Sequence, residues 1–258
     1  TWNALHALNL INCDAGISAT RWQRSRHPKE LQHKIQVIHE GVDTHYLKPD
    51  ANAELTLPDG TRLRAGDPIV TYVARNLEPY RGFHIFMRSL VQLQREHPTC
   101  RVVIVGGDDV SYGSAPKNAP NWREKMLAEV KLDMSRIHIL GKLPYATYAK
   151  VLQVSAAHVY LTYPFVLSWS MLEAMASGCV MIASRTAPVE EVITDGVQGV
   201  LTDFFDPEQL VKHMIHALNH PEAYREMRAA ARAKVQADYP LDQAEKSFKE
   251  LILGHTKR

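Results

Sequence analysis

The stretch from His158 to Asp203 constrains this chain more than any other. It opens with an apolar run, Val159 to Leu161, short and bulky enough for a buried strand. A turn follows with Pro164 and Ser168-Trp169-Ser170, then a helical run from Met171 to Ser177. Gly178 comes next, where a left-handed residue would end that helix. A second apolar run, Val180 to Ala183, predicts another strand. Strand, polar turn, short helix, glycine and strand make a βαβ unit, and a parallel sheet needs that crossover.

The chemistry of such a unit sits at its turn. The first N–H groups of the helix near Ser168 have no partner within the helix, and the dipole makes that end positive. An anion, most often a phosphate, is well received there. Glu173 lies about one turn further on. A carboxylate so placed can accept two hydrogen bonds from a sugar diol, as the acidic residue of dinucleotide folds does. It is equally an ordinary acid in a first turn that favours acids. From these residues alone both readings stand.

A family resemblance separates them. Leu172-Glu173-Ala174-Met175-Ala176-Ser177-Gly178, a strand, then Glu191-Val192-Ile193, Asp195-Gly196 and Gly199-Val200-Leu201 resemble the donor-binding domain of GT-B glycosyltransferases. The specific likeness is to retaining family 4, the glycosyl transferases group 1. That family carries two glutamates eight positions apart, the second within L-E-A-M-A. Glu173 matches the second; Phe165 stands at the first, and Val166-Leu167-Ser168-Trp169 replace the usual G-F-G-L. The resemblance implies that Glu173 touches the ribose of a nucleotide-diphosphate sugar. The donor sugar then meets Phe165 and the backbone of Val166, Leu167 and Ser168 instead of a glutamate.

Lys34-Ile35-Gln36-Val37-Ile38-His39-Glu40-Gly41-Val42-Asp43, followed by Pro49, fits the family's interdomain hinge. On that likeness residues 1–48 are the end of an acceptor-binding domain with its hinge, and most of that domain lies outside this chain. Residues 49–240 are then the donor-binding domain, and 241–258 a final helix crossing back to the first. Arg21, Arg24, Arg26, Lys29 and Lys34 make the segment before the hinge basic, either as a solvated face or as a contact for anionic lipid or an acidic acceptor. Residues 50–68, with Asp59-Gly60 and Gly66-Asp67-Pro68, read as a turn-rich connection.

Ile69 to Ala74 predicts a strand, followed by Arg75, then Pro79-Tyr80-Arg81-Gly82, then a helix to Glu96 with Phe83, Phe86, Leu90 and Leu93 in register. Two arginines at a strand's carboxyl end suit a diphosphate, because guanidinium grips phosphate through a planar fork. The family has an Arg and a Lys-Gly pair here, which implies phosphate roles for Arg75 and for Arg81-Gly82. Arg101 to Val105 predicts the next strand, ending Gly106-Gly107-Asp108-Asp109 where the family has a glycine-rich end. This is no G-x-G-x-x-G fingerprint, so nicotinamide and flavin enzymes are disfavoured. The paired aspartates lack metal-transferase spacing, and the resemblance implies neither cofactor nor metal. Residues 110–120 form a long loop, a donor-side lid or a segment without a role.

Helices are predicted over 122–132 and 144–154, and a strand over 137–140 ending Gly141-Lys142-Leu143, which the resemblance places against the nucleotide base. Gly199 to Thr202 makes the sixth strand, and helices cover 206–219, 222–237 and 241–253. His213, His216 and His220 share a face, yet no carboxylate or cysteine completes a zinc site. The fold expected is α/β, a doubly wound, Rossmann-like parallel sheet. Lys and Arg number 30 against 28 Asp and Glu, so charge indicates no nucleic-acid partner. The 3 cysteines are dispersed and odd in number, and neither a signal-peptide pattern nor a bilayer-length apolar run occurs. The expectation is a cytoplasmic, metal-independent retaining transferase, with a peripheral membrane contact through the basic segment and a sugar or glycolipid acceptor. Its alternative is a degenerate transferase that binds nucleotide without catalysis; a sugar-nucleotide epimerase is more distant.

Overall fold

A parallel strand buried on both faces needs a nearly continuous apolar run. Residues 69–74 and 102–105 supply such runs, and in the computed structural model, which describes residues 2–255, both are central strands. The main sheet comprises β1 (Ile69–Asn76), β2 (Arg101–Gly107), β3 (Ile137–Ile139), β4 (Ala157–Tyr160), β5 (Val180–Ser184) and β6 (Val200–Thr202). Every pairing is parallel, and the order across the sheet is β6-β5-β4-β1-β2-β3. This is the doubly wound order 3-2-1-4-5-6, whose winding reverses between β1 and β4. The α/β class and the six strands agree with the expectation from sequence.

Along and after these strands run α1 (Phe83–Glu96), α2 (Trp122–Glu129), α3 (Tyr145–Gln153), α4 (Trp169–Ala176), α5 (Pro207–Asn219), α6 (Arg225–Asp238) and α7 (Leu241–His255). On one face Phe83, Phe86, Leu90 and Leu93 of α1 meet Leu210, Val211 and Met214 of α5 over Val70 and Tyr72. On the other, Met171, Leu172 and Met175 of α4 pack with Ala231 and Val235 of α6 and with Leu152 of α3. Each helix thus buries the stripe its spacing provides.

Several local expectations shift. β4 starts two residues before the expected Val159, and α2 ends at Glu129 because Val130 turns extended. The helix expected from Glu222 begins as a 3-10 turn, Pro221–Tyr224. Residues 50–68 are more than turns: Glu54–Thr56 pairs antiparallel with Arg62–Arg64, and Leu55 and Leu63 are buried against Val103 and Val151. Nearer the start of the chain, a helix (Trp2–Asn12) precedes a parallel pair of short strands, Gly16–Ser18 and Ile35–Val37. Lys34 Nζ donates to the carbonyls of Leu10, Ile11 and Cys13 at the end of that helix, at 3.2, 2.8 and 2.9 Å, and Arg24 Nε to that of Gln32 at 3.0 Å. Two of the five basic side chains noted there are therefore engaged internally. The start of α7 is stitched to residue 42: Val42 N donates to the Tyr239 carbonyl at 2.9 Å and Leu241 N to that of Val42 at 3.2 Å.

Candidate functional site

In an open doubly wound sheet the crevice forms outside the strands' carboxyl ends, where the winding reverses. Here that point lies between β1 and β4, and a cleft of about 590 Å³ opens there. Arg75 and Asn76 end β1 on its wall, Gly106 of β2 lies near its floor, and residues 166–170 carry the chain into α4 on the far side. Nothing but topology is needed to bring these distant segments together.

Arg81 is held in a 3-10 turn, Pro79–Arg81, that Gly82 closes at φ 70°. A Cβ at residue 82 would sit 2.4 Å from Leu161 Cβ, so the glycine sets how closely this turn approaches β4. The Arg81 side chain is only 6% exposed. Its Nη1 donates to Tyr160 Oη at 3.1 Å and Thr162 Oγ1 at 2.9 Å, and its carbonyl accepts from Tyr72 Oη at 2.7 Å. Its Cζ lies 5.4 Å from the Tyr112 ring centre and 5.6 Å from that of Phe165. Among the described residues it has no ion pair. A buried cation without a counter-ion is costly, and an anion in the cleft would offset that cost.

The N-terminus of α4 supplies a second positive feature. Ser168 caps it through Oγ, accepting from Ser170 N at 3.4 Å, and its own N–H donates to Tyr160 Oη at 2.8 Å. Tyr160 thus accepts from the guanidinium and from the helix start together, which fixes their separation. Arg75 is exposed at the cleft wall, and its side chain forms neither hydrogen bond nor ion pair among the described residues. Lys142 pairs with Asp109 at 3.0 Å, with both side chains well exposed, so that pair contributes little.

Glu173 is the acidic member. Its Oε1 accepts from Tyr145 Oη at 3.0 Å and its Oε2 from Tyr148 Oη at 2.6 Å. Burial raises its carboxyl above the usual carboxylate range, while the two phenols work in the opposite direction.

Of the residues singled out from sequence, Arg75, Arg81, Lys142, Leu143, Val166, Leu167, Ser168 and Glu173 line this cleft. Gly82, Gly107, Gly141 and Phe165 do not. Gly82 packs on Leu161, and the bare Cα of Gly107 leaves room for the Lys142 stem and Asn76. Gly141 takes φ 66° with open space where a side chain would be. The Phe165 ring packs on Tyr112 at 4.9 Å and Tyr80 at 5.8 Å, beside Arg81. The loop over 110–120 is tied to the end of β1: Asn76 Nδ2 donates to Ser111 Oγ at 2.6 Å, and Tyr112 N and Gly113 N donate to Glu78 Oε2 at 3.1 and 3.0 Å.

Sequence reasoning passed over Asn76, Tyr112, Tyr148, Tyr160 and Thr162. A usable signal existed for Tyr145 and Tyr148, whose spacing puts two phenols on one helix face. Among the described residues no group of three His, Cys, Asp or Glu is placed to hold a metal ion. His216 of the histidine face pairs with the Tyr224 hydroxyl at 2.7 Å. No described helix is long and apolar enough to cross a membrane.

Comparison with known proteins agrees with this architecture. Residues 56–234 match the family described as Glycosyl transferases group 1, and residues 1–47 match a Glycosyl transferase family 4 group. The chain is 26% identical over 194 residues to a D-inositol 3-phosphate glycosyltransferase of Segniliparus rotundus, covering 75% of this chain and 41% of that protein. The one from Nocardioides is 25% identical over 217 residues, covering 79% and 44%. The chain therefore spans less than half of these relatives. Among solved structures, sucrose-phosphate synthase from Thermosynechococcus elongatus superposes with a TM-score of 0.77 at 20% identity, covering 98% of this chain and 61% of that one. HepE from Anabaena, in complex with UDP-glucose, gives 0.75 at 16%, covering 94% and 64%. These likenesses speak for the fold. With a family model matched over well more than half its length, this chain is a GT-B glycosyltransferase chain and belongs to the glycosyl transferases group 1.

Proposed function

We propose that this chain is the donor-binding part of a retaining transferase that moves a sugar from a nucleoside diphosphate to an acceptor hydroxyl. One observation carries the reading: a buried guanidinium, Arg81, with no ion pair among the described residues, beside the N-terminus of α4 at the sheet's switch point. The hard step is departure of the nucleoside diphosphate as the bond from the anomeric carbon to phosphate oxygen breaks. Arg75, Arg81 and the first N–H groups of α4 stabilise the charge that develops. Glu173 fixes the ribose and so the position of the anomeric carbon. The reading needs neither a protein nucleophile nor a metal; the acceptor attacks from the leaving group's face, and a donor phosphate oxygen takes its proton. The acceptor, a sugar or glycolipid, is bound mainly by residues outside this chain, at the cytoplasmic face of a membrane.

The test is thermal stability with ADP, GDP and UDP, beginning with UDP because solved neighbours hold it. At a hundredfold excess over the dissociation constant, binding adds about 2.7 kcal/mol. For a chain of this size that raises Tm by roughly 5–10 °C. No shift with any of the three at millimolar concentration overturns the reading.

Phe165 supports a second reading, a degenerate protein that binds nucleotide alone. Its ring accepts no hydrogen bond from sugar hydroxyls, and it lies where the resemblance puts a glutamate. Affinities for the diphosphate and its sugar conjugates decide between the two. If every conjugate binds at least a hundredfold more weakly than the free diphosphate, the degenerate reading replaces the transferase.

A further inference from the structure

A carboxylate offers roughly four acceptor positions, two on each oxygen. In Glu173 one position on each oxygen is already filled, by Tyr145 Oη at 3.0 Å and by Tyr148 Oη at 2.6 Å. One position per oxygen remains without a donor among the described residues, and Glu173 lines the cleft. Two parallel acceptors from one planar group match the two O–H donors of a vicinal diol, and match a lone hydroxyl or an amide less well. The phenols come from a separate element, α3, at positions three apart and so on one face. Tyr148 is buried at 9% exposure, and the half-exposed Tyr145 is backed by Tyr46, whose ring stacks on it at 5.4 Å and 18°. The carboxylate is thereby held by two rigid rings with little rotamer freedom to lose.

We propose that Tyr145 and Tyr148 are positioning residues that aim the two free acceptor sites of Glu173 at the ribose diol of the bound nucleotide. The proposal rests on the assignment of Glu173 to the ribose. It adds that the grip depends on the phenol hydroxyls that hold the carboxylate.

The consequence appears in pH dependence. Only the ionised carboxylate accepts from both ribose hydroxyls, and burial raises its proton affinity while each phenol lowers it. Ribonucleotide affinity therefore falls as pH drops through a range above the ordinary carboxylate one. The stability of the free fold moves in the opposite sense. A carboxyl whose pKa is raised on folding contributes stability below its unfolded value and loses it as pH rises through the folded value. Other groups near the site are Asp43 and Tyr46, which face Tyr145; Cys179, which faces Tyr148; and Glu40 and Arg75, which line the cleft. None of them forms an ion pair with Glu173.

The experiment titrates the 258-residue chain with the tightest binder among ADP, GDP and UDP, and with its 2′-deoxy form, across the acid range. The variants are Y145F, Y148F, the double variant and E173Q. For Y148F the pH of half-maximal ribonucleotide affinity is expected to rise by about one unit, the equivalent of one hydrogen bond to a charged group. Y145F should shift it less and the double variant more, each read from the ratio of ribo to deoxy affinity so that the second ionisation of the shared terminal phosphate, at about pH 6, cancels. E173Q should flatten that ratio. If E173Q flattens it while both phenylalanine variants keep the wild-type midpoint and differ only in Tm, the phenols are structural and the proposal is overturned. If E173Q leaves ribo and deoxy affinities and their pH profiles unchanged, the ribose assignment itself fails. If none of the three diphosphates binds, both fall together.

Discussion

Arg81 donates from Nη1 alone to two neutral oxygens, Tyr160 Oη and Thr162 Oγ1, while buried to 6% exposure, and its other donors have no side-chain or carbonyl partner among the described residues. In the free protein this arrangement costs stability, since desolvation of a cation outweighs what two hydroxyls return. Arg81→Met keeps a similar stem and removes the charge. Its ligand-free Tm is expected to equal or exceed that of the wild type, while affinity for a nucleoside diphosphate drops by about tenfold to a hundredfold, equivalent to 1.5–3 kcal/mol. Affinity for the corresponding nucleoside should change little in Arg81→Met and in Arg75→Ala. Titration calorimetry with both ligands reads this directly; equal losses for nucleoside and diphosphate would remove these arginines from the phosphates. The local run Arg81-Gly82 after a strand made the first half of this site legible. The partners were not legible, because Tyr160 and Thr162 lie 79 and 81 residues further on and arrive only when β4 pairs with β1. Likewise Glu173 announced itself by motif, whereas its phenols, 25 and 28 residues away, required the packing of α3 against α4.

Among the elements, β1 and the loop after β2 act as a pair. β1 runs to Asn76, and the loop's Ser111, Tyr112 and Gly113 are bound to Asn76 and Glu78 just beyond it. Glu78 is fully buried, and its Oε2 takes both loop amides while Oε1 has no partner among the described residues. The loop is latched at this end, with the Tyr112 ring laid over Arg81. Glu78→Ala should release it, and amide exchange at Tyr112 and Gly113 should quicken by about tenfold or more, the equivalent of a hydrogen bond to a charged group. Glu78→Gln retains one acceptor oxygen and should keep most of the protection. Hydrogen exchange mass spectrometry over residues 110–120 checks this, and unchanged protection in Glu78→Ala would show the loop is held elsewhere. Loop length alone had suggested either a lid or an idle segment, because a buried acid's choice of backbone partners has no local pattern. The six strands were legible for the opposite reason: strands buried on two faces write their burial into consecutive residues. The hairpin of Glu54–Thr56 and Arg62–Arg64 escaped notice because each strand carries a single buried leucine, too little for a period of two to register.

The molecule as a whole is closed by contacts between its first and last segments. Val42 pairs with Tyr239 and Leu241, and Arg232 of α6 reaches further: Nη2 donates to the Thr44 carbonyl at 3.1 Å, and Nη1 to those of Leu47, at 2.9 Å, and Ala176. One planar fork thereby joins residues 44–47 to the C-terminal end of α4, where a cation also complements the helix dipole. Removing it strands several carbonyls in a half-buried setting. Arg232→Met is expected to lower stability by about 3 kcal/mol, of the order of one or two hydrogen bonds to a charged group. For a chain of this size the corresponding fall in Tm is roughly 6–12 °C. Arg232→Lys, with the charge but without the fork, should fall between. The diphosphate affinity of the folded Arg232→Met protein should stay within about threefold of wild type. Arg75, Arg81 and the α4 N-terminus all lie at the carboxyl ends of the strands, while Ala176 closes the opposite end of α4. Thermal melts paired with titration at a temperature well below the melt separate the two quantities. A Tm within 2 °C of wild type would show that the fork contributes nothing to closure, and a tenfold loss of affinity at full folding would make the segment over 44–47 part of the donor site.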